Sequence, residues 1–270
     1  MIQSRPRRSR WACFAAVVIA GVAGCATSPT GQTQLKLFPD SEMARMGVTA
    51  YQELKAKTPV SKNKKLTAYV TCVALAVTRE VPSRYDWEVT LFEDKAVNAF
   101  ALPGGKIGVY TGLLKAAVNQ DQLAAVLGHE IAHVIADHGN ARISAAYATQ
   151  TGLQLAEALA GGGAASTQQS QLFGLLGLGA QVGILMPYGR GQESEADILG
   201  LQYMAKAGFD PRQSIALWKN MEKQNKNQPP EFLSTHPSHA TRIEDLNKTM
   251  PAALQLYDQA QAQDKRPQCK

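Results

Sequence analysis

The sequence predicts a mainly α-helical domain with a small β-sheet, an α+β arrangement, and three observations carry that prediction. Apolar residues recur at helical spacing in four stretches with recognisable start or stop signals, at about 41–57, 61–78, 123–139 and 193–208. Three short strand-like stretches, 87–92, 96–102 and 106–110, lie close together, with Pro103, Gly104 and Gly105 forming a turn between the last two. A chain of 270 residues without an internal repeat has room for one large core and offers no sign of an attached solenoid.

At the N-terminus, Arg5, Arg7, Arg8 and Arg10 precede an apolar stretch from Trp11 to Val22. That stretch is too short to span a bilayer and has the proportions of a secretory signal. Without these four arginines, Lys and Arg fall from 28 to 24 against 22 Asp and Glu, and the net charge falls from +6 to +2. The basic balance therefore belongs mainly to the targeting segment, which excludes a case for nucleic-acid binding. Val22-Ala23-Gly24-Cys25 resembles the bacterial lipobox, whose cysteine is lipidated and becomes the mature N-terminus; a plain signal peptide cleaved near 23–26 is the alternative. Ala26 follows the cysteine where Asp would signal retention at the inner membrane, so the pattern implies an outer-membrane lipoprotein facing the periplasm. With Cys13 removed and Cys25 lipidated, Cys72 and Cys269 remain as a pair in an oxidising compartment, and a disulfide between an early helix and the tail is expected.

The domain boundaries follow. Residues 1–24 are the lipoprotein signal peptide, 25–39 a Pro-, Gly-, Ser- and Thr-rich lipidated tether, 40–252 the main domain, and 253–270 a C-terminal helix and tail. Within the main domain, 143–189 carries one charged residue, Glu157. It is expected to form a mobile apolar hairpin or lid resting on the membrane or on unfolded substrate, or alternatively two helices packed into the core. The strand-like stretch 96–102 is expected to offer an edge to which an extended peptide adds, with backbone contacts at Asn98 and Ala99; an ordinary buried strand is the alternative.

The stretch Leu123 to Gly139 is the chemical centre. Asn119 is a candidate N-cap with Gln122 three residues on, and Gly139 falls where a left-handed C-cap would close the helix. Leu123, Val126, Leu127, Ile131, Val134 and Ile135 make its apolar stripe. On it lies HExxH, formed by His129, Glu130 and His133. Residues four apart stack on one helical face, so both imidazoles can share one tetrahedral cation. Glu130 beside them can take the proton of an activated water and return it to a leaving amine, which is the chemistry of peptide hydrolysis.

A third ligand is needed. The continuation HExxHxxGxxH fails, since Ala136 and Gly139 stand where it needs Gly and His. His138 falls about 140° round a continuous helix from His133 and reads as structural or surface. The run Glu193 to Asp197 supplies the alternative: Glu193 and Asp197 share a helical face, placing Glu193 on the metal and Asp197 against a ligand histidine, whose tautomer it would fix. Glu195 points about 200° away and is the alternative ligand. Gly208 ends this helix, and Asp210 with Pro211 begins another. Further on, His236 and Arg242 are donors suited to stabilising the oxyanion of a tetrahedral intermediate. Two His and one Glu with an open position favour zinc, one ion per chain.

Taken together, HEIAH, QESEADILGLQYMAKAGFDP, LSTHPSHATRI and NAFALPGG resemble the gluzincin family that includes HtpX, the CAAX prenyl endopeptidase and the Oma-type protease. The lipobox followed by SPTGQTQL resembles its LoiP and BepA outer-membrane lipoprotein branch. The resemblance covers about residues 25–250. It implies a gluzincin-type metallopeptidase domain with an active-site helix and an adjacent edge strand, zinc on His129, His133 and Glu193, Glu130 as base and acid, and His236 and Arg242 near the oxyanion. In one branch the matching histidine also fills the fourth zinc position, so latency through His236 is implied as well. The implied substrates are unfolded or misassembled envelope proteins, with outer-membrane assembly machinery or other envelope partners beside the lipid anchor. A non-proteolytic assembly factor or holdase with structural zinc is the alternative function. The BepA type carries C-terminal helical repeats that have no counterpart here.

Overall fold

The computed structural model describes residues 24–82, 85–159, 187–224, 231–236 and 242–270. Its elements, in order, are β1 (Cys25–Thr27), β2 (Thr33–Leu35), α1 (Asp40–Lys57), α2 (Lys64–Thr78), β3 (Glu88–Phe92), β4 (Ala99–Leu102) and β5 (Lys106–Tyr110). These are followed by α3 (Gln120–Ile135), α4 (His138–Leu159), α5 (Arg190–Lys206), α6 (Gln213–Gln224), α7 (Glu231–Thr235) and α8 (Arg242–Ala262). A mainly helical fold with small sheets is the outcome that the periodicity predicts.

The HExxH helix α3 lies at the centre because almost none of its surface can face water. Leu123, Leu127 and Ile131 are fully buried, and so are Ala124 and Ala132. Helices α2, α5 and α6 and strand β4 pack around it. The closest of these packings is between α3 and α5, at Gly128 and Gly200. A Cβ added at Gly128 would lie 2.7 Å from the Gly200 carbonyl oxygen, and one at Gly200 would lie 2.7 Å from the His129 nitrogen. Two glycines therefore let the helix bearing the histidines and the helix bearing Glu193 touch backbone to backbone.

Asn119 caps α3 as expected, its side chain accepting from the Gln122 N–H, which satisfies one of the donors left free at that end. The C-terminus differs from the expected Gly139 cap. The helix ends at Ile135, and the left-handed residue is Asp137 at φ 56°. Its carboxylate accepts from Lys36 at 2.6 Å, and α4 begins at the next residue, leaving Gly139 inside the first turn of α4. One residue of left-handed backbone thus redirects the chain where a continuous helix was expected.

The three-stranded sheet has the order β3-β5-β4, with β3 parallel and β4 antiparallel to β5. Gly104 and Gly105, at φ 86° and 73°, close the β4–β5 hairpin. Strand β4 is an edge, as the substrate-addition idea requires, and its side chains are all buried. Tyr51, Phe92, Phe100 and Tyr110 form an aromatic cluster on the sheet.

Two of the expected segments take a different form among the described residues. Residues 25–39 are not a free tether, because β1 and β2 pair antiparallel and dock on the domain: Gln34 donates to the Ala136 carbonyl, the Leu37 N–H donates to Ser144, and Lys36 reaches Asp137. Polar, Pro- and Gly-rich composition looks like linker when its hydrogen-bond partners lie a hundred residues away. Helix α8 runs unbroken through residue 252, with Pro251 inside it, so the C-terminal helix is continuous with the main domain. In the 143–189 segment, α4 extends to Leu159, and residues 160–186, where the hairpin or lid was expected, lie outside the described residues. No helix among the described residues is long and apolar enough to cross a membrane.

Cys72 and Cys269 form the expected disulfide, which joins α2 to the tail, while the Cys25 thiol is exposed. The tail it secures also exchanges hydrogen bonds with Gln120, the first residue of α3, through Pro267 and the Cys269 N–H.

Candidate metal centre

Side chains from α3, from α5 and from the segment just after α7 converge on one buried point. His129, His133, Glu193 and His236 each offer a ligand atom, and these atoms all lie within 4.8 Å of one another. The His129 and His133 Nε2 atoms are 3.0 Å apart, and each is 3.5 Å from an oxygen of Glu193. Ligands at about 2.0–2.1 Å from a tetrahedral zinc stand roughly 3.3 Å from each other, so this spacing fits that ion. The donor set, imidazole nitrogen with one carboxylate, is also zinc chemistry. The three ligands expected from sequence are thus brought together.

Proton placement supports the same assignment. His129 Nδ1 lies 2.9 Å from Asp197 Oδ1, and a carboxylate accepts, so the ring's Nε2 lone pair is left for the metal. Asp197 occupies the position predicted for it one turn after Glu193.

Burial and charge tune each group differently. Burial would lower His129, but its hydrogen bonds with Asp197 and Glu193 outweigh that and lift it to about 9. Burial dominates at His133 and holds it well below the ordinary imidazole range. Glu193 would be raised by burial, yet the three surrounding imidazoles keep it far below the usual carboxylate range. Asp197 would likewise be raised by burial, but the Arg242 charge and the His129 hydrogen bond hold it down. Burial raises Glu130, the direction that makes a carboxylate a better base.

The His129 value has a measurable consequence. At pH 7 the metal-free ring carries a second proton, and the metal needs that lone pair. Zinc binding at pH 7 is therefore expected to release close to one proton per chain, and apparent affinity should rise with pH until about 9. Calorimetry in buffers of different ionisation enthalpy measures this, and binding without proton release at pH 7 would contradict it. The same proton stabilises the metal-free fold below the ordinary pKa of 6.5, and that contribution is lost as pH rises through about 9.

His236 and Arg242 are both in the site, but neither has the setting expected of an oxyanion donor. His236 Nδ1 is 3.0 Å from Glu193 Oε1 and 3.2 Å from His129 Nε2, which puts it among the ligands, while its Nε2 lies 3.3 Å from Glu130 Oε1. Arg242 donates to Glu193 Oε2 at 3.0 Å and to Asp197 Oδ1 at 2.7 Å, its guanidinium lying 3.6 Å over the Trp218 ring. It clamps Glu193 and Asp197 of α5 from behind.

The edge strand also sorts its two expected contacts. The Tyr110 N–H donates to the Asn98 carbonyl, so residues 98, 100 and 102 face β5. In an antiparallel ladder the alternate residues turn their main-chain groups outward, which gives the open edge to Ala99 and Ala101. Of the two residues expected to meet substrate, Ala99 turns its main-chain groups to the edge, whereas the Asn98 carbonyl is committed to the sheet. The Val97 carbonyl already accepts from Phe232 of α7.

Several residues were not legible in advance. Tyr188 stacks on His133 with centroids 3.7 Å apart, is covered on its other side by Arg142, and is pushed up to about 12 by burial. Phe232 stacks on His236 at 4.5 Å. His138 is fully buried against His133, and Glu195 contacts His138, not the ligand cluster. The His138 placement follows from the break at Asp137, which swings His138 back towards His133. A helix continued through 139 would have carried it away.

The pattern described as peptidase family M48 matches residues 61–250. The chain is 37% identical over 183 residues to the mitochondrial metalloendopeptidase OMA1 of Saccharomyces cerevisiae, covering 64% of this chain and 50% of that protein. It is 29% identical over 282 residues to the Homo sapiens metalloendopeptidase OMA1, covering 96% and 53%. It is 32% identical over 217 residues to the beta-barrel assembly-enhancing protease of Yersinia pestis, covering 76% and 43%. The chain spans about half the length of these curated relatives. The matched span contains α2 to β5 and every residue of the metal centre, and on that basis the chain belongs to peptidase family M48, whose metallopeptidases use zinc.

Proposed function

We propose that this protein is a zinc-dependent endopeptidase acting on unfolded or misassembled envelope proteins, anchored by lipid at Cys25 to the periplasmic face of the outer membrane. The observation that carries the activity is Glu130, a buried carboxylate raised in pKa, placed beside a His129, His133 and Glu193 ligand set. The family supports the reaction class. The envelope setting rests on the lipobox and on the bacterial relative whose name refers to β-barrel assembly, while the OMA1 relatives carry a mitochondrial name. Envelope assembly machinery is the partner class that this setting suggests.

When bound, zinc supplies a Lewis acid that polarises the scissile carbonyl and acidifies water. The chain supplies the rest. An extended substrate lies along the open edge at Ala99 and Ala101, hydrogen-bonded main chain to main chain. Glu130 takes the proton from the attacking water as its oxygen bonds to the carbonyl carbon, and gives that proton to the amine nitrogen as the C–N bond breaks. Asp197 and Arg242 hold His129 and Glu193 in place throughout.

His236 Nδ1 lies among the ligand atoms, where it would take the place of a water on a bound metal, and we read this as a latent state that substrate or a partner opens. It also favours a second reading, in which a closed four-ligand site is structural and the protein is a holdase. Hydrolysis of unfolded casein by wild type and His236→Ala, with bound zinc measured in both, separates them. His236→Ala is expected to keep its zinc and cleave at least about tenfold faster, since one ligand of four is dispensable for a catalytic site. Full zinc in both with cleavage in neither would favour the holdase.

A further inference from the structure

Outside the ligand set lies a buried chain of polar atoms that the proposed mechanism does not use. His133 Nδ1 is 2.8 Å from His138 Nδ1, His138 Nε2 is 3.2 Å from Glu195 Oε2, and the Thr30 N–H donates to Glu195 Oε1 at 3.0 Å. His138 and Glu195 are each about 1% exposed at most. Hydrogen-bond logic fixes every proton along this chain. A carboxylate only accepts, so His138 must present Nε2–H to Glu195. Burial disfavours the charged form of His138, and in the neutral ring this leaves Nδ1 with a lone pair, which can only accept, so His133 must donate Nδ1–H. His133 Nε2 is then unprotonated and aimed at His129 and Glu193.

We propose that His138 and Glu195 are positioning residues that set the tautomer and ring orientation of the metal ligand His133, and that the β1–β2 hairpin anchors them through Thr30. The inference rests on the metal-centre reading above. It gives His133 the kind of support that Asp197 gives His129, with one extra histidine spanning a gap that Glu195 cannot bridge alone. It also gives the hairpin a chemical role. Glu195 is held on one oxygen by the N-terminal segment and on the other by the chain leading to the metal. The hairpin is held in turn by Gln32 on the Gly191 carbonyl and Gln34 on the Ala136 carbonyl, at the start of α5 and the end of α3. The turn through Asp137, which Lys36 of the same segment grips, is what delivers His138 to this place. An N-terminal segment with linker-like composition thus reaches a zinc ligand in three hydrogen bonds.

The test is zinc affinity, by competition with a chromophoric chelator, and the visible spectrum of the cobalt-substituted full chain, both independent of turnover. Glu195→Gln keeps size and shape but cannot accept on both sides, and is expected to weaken zinc by about 10–100-fold and to shift the cobalt bands. His138→Leu should do the same, because it fills space without polar atoms. His138→Gln can accept from His133 and donate to Glu195, and should stay within about threefold of wild type. Wild-type affinity in Glu195→Gln, or equal losses in His138→Gln and His138→Leu, would overturn the relay and leave a packing role. If the wild type itself held no zinc, the metal-centre reading would fall first and the relay with it. Should His138→Leu not fold, the isosteric Glu195→Gln decides alone.

Discussion

Glu130→Gln is expected to bind zinc as the wild type does and to hydrolyse casein more slowly by a factor on the order of 10²–10³, the usual contribution of a positioned general base. The substitution keeps the volume of a side chain that is 3% exposed on the most buried helix of the fold, so packing should survive. It removes only the capacity to take a proton. Glu130 is not among the ligand-atom group and its Oε1 lies 3.3 Å from His236 Nε2, so the ligand atoms of His129, His133 and Glu193 should not move. Measuring zinc content alongside turnover is what gives the experiment its force. Slow turnover with full zinc assigns Glu130 to proton transfer, whereas retained turnover would break the mechanism. Joint loss of zinc and turnover would move Glu130 to a structural role.

Arg242→Met should be the most damaging of the non-ligand changes, destabilising the metal-free protein by about 3–5 kcal/mol, the usual cost of stranding a buried charge. The guanidinium is 2% exposed and contacts two carboxylates, Glu193 at 1% and Asp197 at 10%, as well as the face of Trp218. Methionine replaces the stem but not the charge, which leaves two buried anions with only His129 and its neighbours to balance them. The sign with pH follows from those carboxylates. Both have depressed pKa values in the fold, so their contribution is present above the ordinary carboxylate range and is lost as pH falls through the depressed values. Without the arginine they should protonate more readily, and the gap between wild type and variant should narrow below about pH 4. Denaturant titration of metal-free protein at pH 7 and at about pH 3 measures both effects. An oxyanion donor, the role expected from sequence, would instead lower turnover while leaving stability untouched.

The sequence by itself determined whatever depends on spacing within one element. HExxH and the Glu193–Asp197 pair were readable because residues four apart on a helix must share a face, whatever the rest of the chain does. The Asn119 cap, the glycine-closed hairpin and the pairing of Cys72 with Cys269 were readable for similar reasons, namely local backbone chemistry and the elimination of other thiol partners. Tertiary structure alone decided how these elements meet. That α3 and α5 touch at Gly128 and Gly200 is a property of two helices seventy residues apart, and neither glycine looks special in its own window. Arg242 was visible as a polar donor, but only packing turned it towards Glu193 and Asp197. His138 was read as structural or surface by a helical-wheel argument that was sound for an unbroken helix and failed at the single left-handed residue Asp137, whereas the same argument for Glu195, on unbroken α5, correctly turned it away from the ligands and only packing brought it to His138. The segment after Cys25 looked like tether because its hydrogen-bond partners, Ala136, Ser144 and Glu195, lie more than a hundred residues away. Periodicity is written locally and can be read locally, whereas a buried polar atom is satisfied by whatever the fold brings beside it.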